Sequence, residues 1–219
     1  WHEHHLLLKA LFDTDIHTAR ATCNIQFGNL ERSTLKNTTW DTARFEVLAH
    51  RFADLSEGNY GVALMNDCKY GYSFGDGQIG LSLIKCATDP NPVADIGAHR
   101  FTYSLYPHAG SVEQSDVQAL SYALNQPMTA TEIGEQTGDL PERFSLVSVD
   151  RENVIPETVK AAEDGSGTIV RLYESANSRT RVAVRFGIPA ARVTVCDLQE
   201  NELESLPVQD GEVTLTVKP

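Results

Sequence analysis

No apolar run in the sequence approaches the ~20 residues that a membrane-spanning helix requires; the longest are short, such as Leu6-Leu7-Leu8. Cysteine is sparse. Cys23, Cys68, Cys86 and Cys196 are widely and irregularly spaced, without a CxxC pair, which argues against a zinc ribbon and against a disulfide framework. They read as reduced, mostly buried thiols of a cytoplasmic protein. Basic residues are also scarce, at 18 Lys and Arg against 30 Asp and Glu, for a formal charge of -12. Binding to a phosphate backbone needs clustered Lys and Arg to displace counterions, so nucleic acid is excluded as a partner, and an anionic membrane with it. No phosphate-cradling GxxxxGK[ST] occurs, and no GxGxxG opens a helix. The first residues lack the charged and apolar regions of a signal peptide. The chain opens directly on a strand-like pattern, as a fragment of a longer polypeptide would.

What is present is period-two alternation, the signature of strands with one buried face. Ala21, Cys23, Ile25 and Phe27 share a face, as do Phe101, Tyr103 and Leu105, Val193 and Val195, and Val213, Leu215 and Val217. Turn chemistry separates these runs at Glu57-Gly58-Asn59, Gly75-Asp76-Gly77, Asp164-Gly165-Ser166-Gly167 and Asp210-Gly211. Gly75-Asp76-Gly77 joins two apolar runs and predicts a hairpin rather than a nucleotide loop. One helix is expected near residues 111–125: Ser111 and Gln114 form a capping box, Val117, Leu120 and Leu124 an apolar stripe, and Pro127 a stop. The expectation is a mainly β protein. Residues 1–127 form an antiparallel β domain, whole or short of strands at its N-terminus, 128–143 a polar linker, and 144–219 a small β-sandwich of five or so short strands.

Few motifs carry chemistry. His2-Glu3-His4-His5 lacks the second histidine of HExxH, because Leu6 stands there; in a strand His2 and His4 would bind a metal only weakly. The denser signal lies between Trp40 and His108. Polar and aromatic residues are packed there into blocks at 40–46, 50–57, 66–72 and 95–103, closing on Tyr106-Pro107-His108. Aromatic faces cover apolar sugar faces while carboxylates, amides and Arg bind hydroxyls, so such blocks suit a carbohydrate-facing surface. Strand ends and domain interfaces have a similar composition.

The same blocks resemble, in order, the C-terminal region of glycoside hydrolase family 38 α-mannosidases. The resemblance runs through residues 1–9, 40–54, 66–70, 95–108, 153–155 and 169–174, and is nearest to the branch shared by bacterial and cytosolic or vacuolar enzymes. It implies a fold like the galactose-mutarotase supersandwich followed by a small β-sandwich. It also implies a parent enzyme with retaining chemistry, in which an Asp nucleophile and an acid/base carboxylate lie roughly 5 Å apart. In that family the nucleophile and the zinc ligands belong to an N-terminal α/β barrel. This chain therefore carries no catalytic residue, no metal ligand and no cofactor of its own, and zinc belongs to the catalytic domain of the same polypeptide, its expected partner along with the α-mannoside. Asp54, Glu57, Asp67, Lys69, Asp95 and His99 are candidates for one rim of the N-terminal β domain, lining the edge of the sugar pocket or meeting the barrel. Two alternatives compete with this reading. One is a free-standing carbohydrate-binding module. The other is an aldose epimerase-like enzyme using His99 with Glu46 or Glu57 as acid and base, and His108 is weighed with them.

Overall fold

The computed structural model describes residues 1–139 and 141–219, and the chain divides into two compact units, Trp1–Thr129 and Ala130–Pro219. The protein is mainly β, with antiparallel pairing throughout the described strands.

The first unit holds β1 (Leu8–Asp13), β2 (Arg20–Ile25), β3 (Gly28–Ser33), α1 (Thr39–Ala43), β4 (Val47–Leu48), β5 (Phe52–Ser56), β6 (Tyr60–Asn66), β7 (Gly71–Gly75), β8 (Gln78–Ile84), β9 (Tyr103–Ala109) and α2 (Val117–Asn125). They make a four-stranded sheet, β1-β8-β7-β4, and a five-stranded sheet, β3-β2-β5-β6-β9. Alternation builds the layer between them. Ala21, Cys23, Ala53, Leu55, Val62 and Leu64 of one sheet meet Tyr72, Phe74, Ile79, Leu81 and Leu83 of the other in a single buried cluster. Burying each large aliphatic side chain stabilises the fold by about 1.5–3 kcal/mol. Phe52, Ala63 and Met65 point to the opposite side of the five-stranded sheet and are covered by Val112, Val117, Leu120 and Leu124 of the α2 segment. Arg51 lies over the Tyr122 ring, 3.7 Å from its centroid, and Asn125 Nδ2 donates to the Asn66 carbonyl, which pins α2 at its C-terminal end.

The Asp76-Gly77 hairpin forms as the sequence predicts, with both residues at positive φ (48° and 73°). A Cβ on Gly77 would lie 2.5 Å from the Thr14 carbonyl oxygen, so glycine is required there for space as well as for conformation.

Several expectations need correcting. Phe27 is not on the buried face of β2; it sits at positive φ in the β2–β3 turn and is exposed. Phe101 precedes β9, and the side of β9 that carries Tyr103 and Leu105 is exposed, whereas Tyr106 and His108 are covered. The helix near 111–125 is divided: Val112–Gln114 form a 3₁₀ turn, with Gln114 Oε1 accepting from Ser111 N, and α2 begins at Val117. A second helix, α1, buries no residue and rests on its capping box, in which Thr38 and Asp41 exchange side-chain to backbone bonds of 3.1 Å. The four cysteines are free, but Cys68 is exposed. Burial pushes the Cys23 thiol up to about 12, against the opposing influence of Arg32, so it is unreactive at neutral pH.

The second unit holds β10 (Val147–Val149), β11 (Val154–Ala161), β12 (Thr168–Glu174), β13 (Thr180–Phe186), β14 (Val193–Cys196), β15 (Glu202–Leu206) and β16 (Glu212–Val217). These form one three-stranded sheet, β10-β13-β16, and two hairpins, β11-β12 and β14-β15. Val154, Val182, Val184 and Val213 are its buried centre. Glu174 is buried at the end of β12, where its oxygens accept from Asn153 Nδ2 (2.7 Å), Ala176 N (2.8 Å) and Ser178 N (2.8 Å). The carboxylate is thereby compensated by donors that shape the β12–β13 turn.

Candidate functional site

The six candidate residues do not share one rim. Asp54 alternates outward on β5, to the side covered by the 3₁₀ turn, and is 1% exposed. His108 Nε2 lies 2.7 Å from Asp54 Oδ2, and Ser56 Oγ donates to Asp54 Oδ1. The pairing depends on Gly61. It stands between Ser56 and His108 in the strand register, and a Cβ there would lie 2.4 Å from the His108 ring. Without that atom the imidazole crosses β6 diagonally to the carboxylate. Burial pushes the Asp54 carboxyl above its usual range, outweighing His108 and Ser56, while the Glu113 charge adds to the rise. Sequence reasoning placed Asp54 on the surface because its compensating partner is 54 residues away.

Glu57 lies at the other end of β6 from Asp67. Seven residues separate the two turns, about 20 Å of strand at ~3.3 Å each. Glu57 accepts from His17 N at 2.7 Å and borders a cleft of about 340 Å³ shared with Arg20, Glu31, Ser111 and Glu113. A neighbouring cleft of about 450 Å³ is lined by His17, Lys36, Asn37 and Asp76.

Asp67, Lys69, Asp95 and His99 do come together, at the end of the unit where β6 leaves the sheet. Asn66 organises the turn: its side chain donates to His50 O (3.0 Å) and Tyr72 Oη (2.6 Å) and accepts from Cys68 N (2.9 Å) and Lys69 N. Asp67 ties this turn to residue 102 by accepting from Thr102 N at 3.0 Å and donating its own N–H to the Thr102 carbonyl at 3.1 Å. Slight burial opposes its ionisation, but the bonds from Cys68 and Thr102 prevail and hold the carboxyl below the usual range. Asp95 accepts from Cys86 N (2.9 Å) and Lys85 N (3.2 Å), which holds its carboxyl low, aided by the charges of His99 and Lys69. His99 Nε2 contacts the Asp95 carbonyl at 2.7 Å, and Lys69 Nζ stands 4.9 Å over the Phe101 ring. The arrangement presents a cation on an aromatic face beside two loop carboxylates occupied by backbone amides.

The acid–base pairs considered for an epimerase do not form. His99 turns to Asp95, Glu57 to His17 N, and Glu46 to Lys9 Nζ (2.7 Å). The expectation from the sequence that no GxSxG occurs is wrong, because Gly71-Tyr72-Ser73-Phe74-Gly75 has that spacing of a nucleophile elbow. It forms the plain strand β7 and makes no strand-to-helix turn; Ser73 Oγ accepts from Lys9 Nζ at 2.7 Å. Among the described residues no three His, Cys, Asp or Glu side chains are grouped to hold a metal.

Comparison with known proteins locates this architecture. Residues 1–93 match the model described as Glycosyl hydrolases family 38 C-terminal domain, and residues 153–219 the model described as Glycosyl hydrolases family 38 C-terminal beta sandwich domain. Alpha-mannosidase G of Dictyostelium discoideum is 46% identical over 82% of this chain and 17% of its own length. Alpha-mannosidase 2C1 of Mus musculus is 40% identical over 100% of this chain and 21% of its own length. The chain thus spans about a fifth of these relatives. The solved structure of an alpha-mannosidase from Enterococcus faecalis V583 superposes with a TM-score of 0.79 over 97% of this chain and 26% of that one, at 20% identity, and so shares the fold. By two consecutive family matches in the expected order, this chain belongs to the C-terminal region of glycosyl hydrolase family 38.

Proposed function

We propose that the chain is the non-catalytic C-terminal part of an α-mannosidase, a retaining glycoside hydrolase acting on α-mannosides, and that it supports a catalytic domain elsewhere in the same polypeptide. The observation that carries this is the end-to-end alignment with Alpha-mannosidase 2C1 at 40% identity. The zinc of the reaction would belong to that other domain. The described residues here offer no grouped ligands for it, and no step is assigned to them. In this reading the end of the first unit bearing Asp67, Lys69, Asp95 and His99 borders the sugar pocket, with the Phe101 face and the Lys69 ammonium suited to a sugar ring and its hydroxyls. None of the described helices is long and apolar enough to cross a membrane, and the free cysteines fit a reducing compartment such as the cytoplasm. The purified chain is expected to leave an aryl α-mannoside intact with or without added zinc, whereas the parent polypeptide hydrolyses it. Zinc-dependent turnover by the 219 residues alone would overturn the proposal.

A further inference from the structure

Strand β9 is inverted for a free edge. It ends the five-stranded sheet and, among the described strands, pairs with β6 alone. Val62 and Leu64 of β6, facing the layer between the sheets, are 4% and 0% exposed. Their register partners are Pro107 and Leu105, and cross-strand partners share a face. Yet Leu105 is 41% exposed, Tyr103 40% and Tyr60, on the same side, 43%. The other side of β9, with Tyr106 and His108, is covered. The strand therefore hides the side bearing its polar His108 and displays its apolar side. The four-stranded sheet reaches this face at the Phe12–Tyr103 ring contact, with centroids 6.0 Å apart, and Tyr103 still remains 40% exposed.

The backbone of the same residues is open too. Thr102 O bonds to Asp67 N and Gly110 N to Asn59 O, so the even-numbered residues of this segment turn their polar groups toward β6. By alternation, the N–H groups of Tyr103 and Leu105 point to the free edge, where Pro107 contributes no donor. Free edges are usually guarded by charged residues; β9 contains no Asp, Glu, Lys or Arg.

We propose that an extended, alternately apolar segment of the parent polypeptide, outside these 219 residues, adds a strand beside β9 and lays its side chains over Tyr103, Leu105 and Tyr60. The inference rests on the reading of the chain as part of a longer enzyme. The aligned relatives, of which the chain spans 17% and 21%, supply ample length outside it for the occupant.

Amide hydrogen exchange on the 219-residue chain and on the parent tests it. The Tyr103 and Leu105 amides are expected to exchange freely in the chain alone and roughly 100-fold or more slowly in the parent. Leu105→Asp should lower the Tm of the parent and leave that of the isolated chain unchanged. Equal exchange in both would overturn the proposal, as would a dimer of the isolated chain that protects these amides and is dispersed by Leu105→Asp. Protection in a parent that does not hydrolyse α-mannosides would support the added strand while removing only the functional reading.

Discussion

Asp54 and His108 show how one missing atom allows a buried polar pair. Their side chains are 1% and 3% exposed, and the ring reaches the carboxylate only because residue 61 has no Cβ. A buried pair of this kind adds little net stability over an apolar filling, but removing one partner strands the other. His108→Ala should therefore cost about 3–5 kcal/mol in denaturant unfolding. Gly61→Ala forces the ring or β6 to shift and should cost about 1–3 kcal/mol. If His108→Ala unfolds at the wild-type denaturant midpoint, the pair carries no structural role. Asp67 and Asp95 act differently. Both are exposed carboxylates whose charge fixes a loop through backbone amides.

Between elements, Lys9 of β1 crosses the four-stranded sheet to Glu46, just before β4, and Ser73 of β7 and Ser82 of β8 join the same network. Partial burial opposes ionisation of Glu46, but the bonds from Lys9 and Ser82 prevail, so its carboxyl lies below the usual 4.5. A carboxyl lowered on folding stabilises the native state above its unfolded pKa, and that contribution is lost as pH falls through the folded value. Glu46→Gln should thus lower stability at pH 7 by about 1 kcal/mol, with the difference from wild type fading as pH falls through the lowered pKa of the folded state; a pH-independent difference would show that the charge is irrelevant. Legibility in the sequence divides at this scale. Strands and hairpins were readable wherever the signal is local, as in the Val213, Leu215, Val217 alternation or the Asp76-Gly77 turn. Short α1 was not, since it lacks an apolar stripe. The candidate site was legible most directly where residues share a turn, as Asp67 and Lys69 do; the gathering of Asp95 and His99 beside them depends on the chain returning to pair Thr102 with Asp67. Chain order alone puts Glu57 before β6 and Asp67 and Lys69 after it, at opposite ends of the strand. Burial of Asp54 required knowing that β9 returns beside β6.

At the scale of the whole chain, the two units have separate cores of unequal size. The first buries residues of both sheets, including Phe52, Tyr72, Ile79 and Leu81, and adds a helix on one face. The second, Ala130–Pro219, centres on four buried valines. Small domains bury a lower fraction of their surface and are correspondingly less stable. The described residues between α2 and β10 form neither helix nor strand, and those from 126 to 146 are exposed. Backbone of this kind meets a protease without prior unfolding, whereas strands in a packed sheet must first open. Brief proteolysis is therefore expected to cut within 126–146 and leave two fragments that retain β-sheet circular dichroism. Calorimetry of the intact chain should show two transitions, the lower assigned to the second unit by its selective loss when Val182, fully buried in β13, is replaced by Ala. Val182→Ala removes two buried methyl groups and leaves a cavity, at a cost of about 2–3 kcal/mol, enough to move one transition of a domain this size by roughly 10 °C or more. A single cooperative transition that shifts as a whole would show instead that the two units unfold as one.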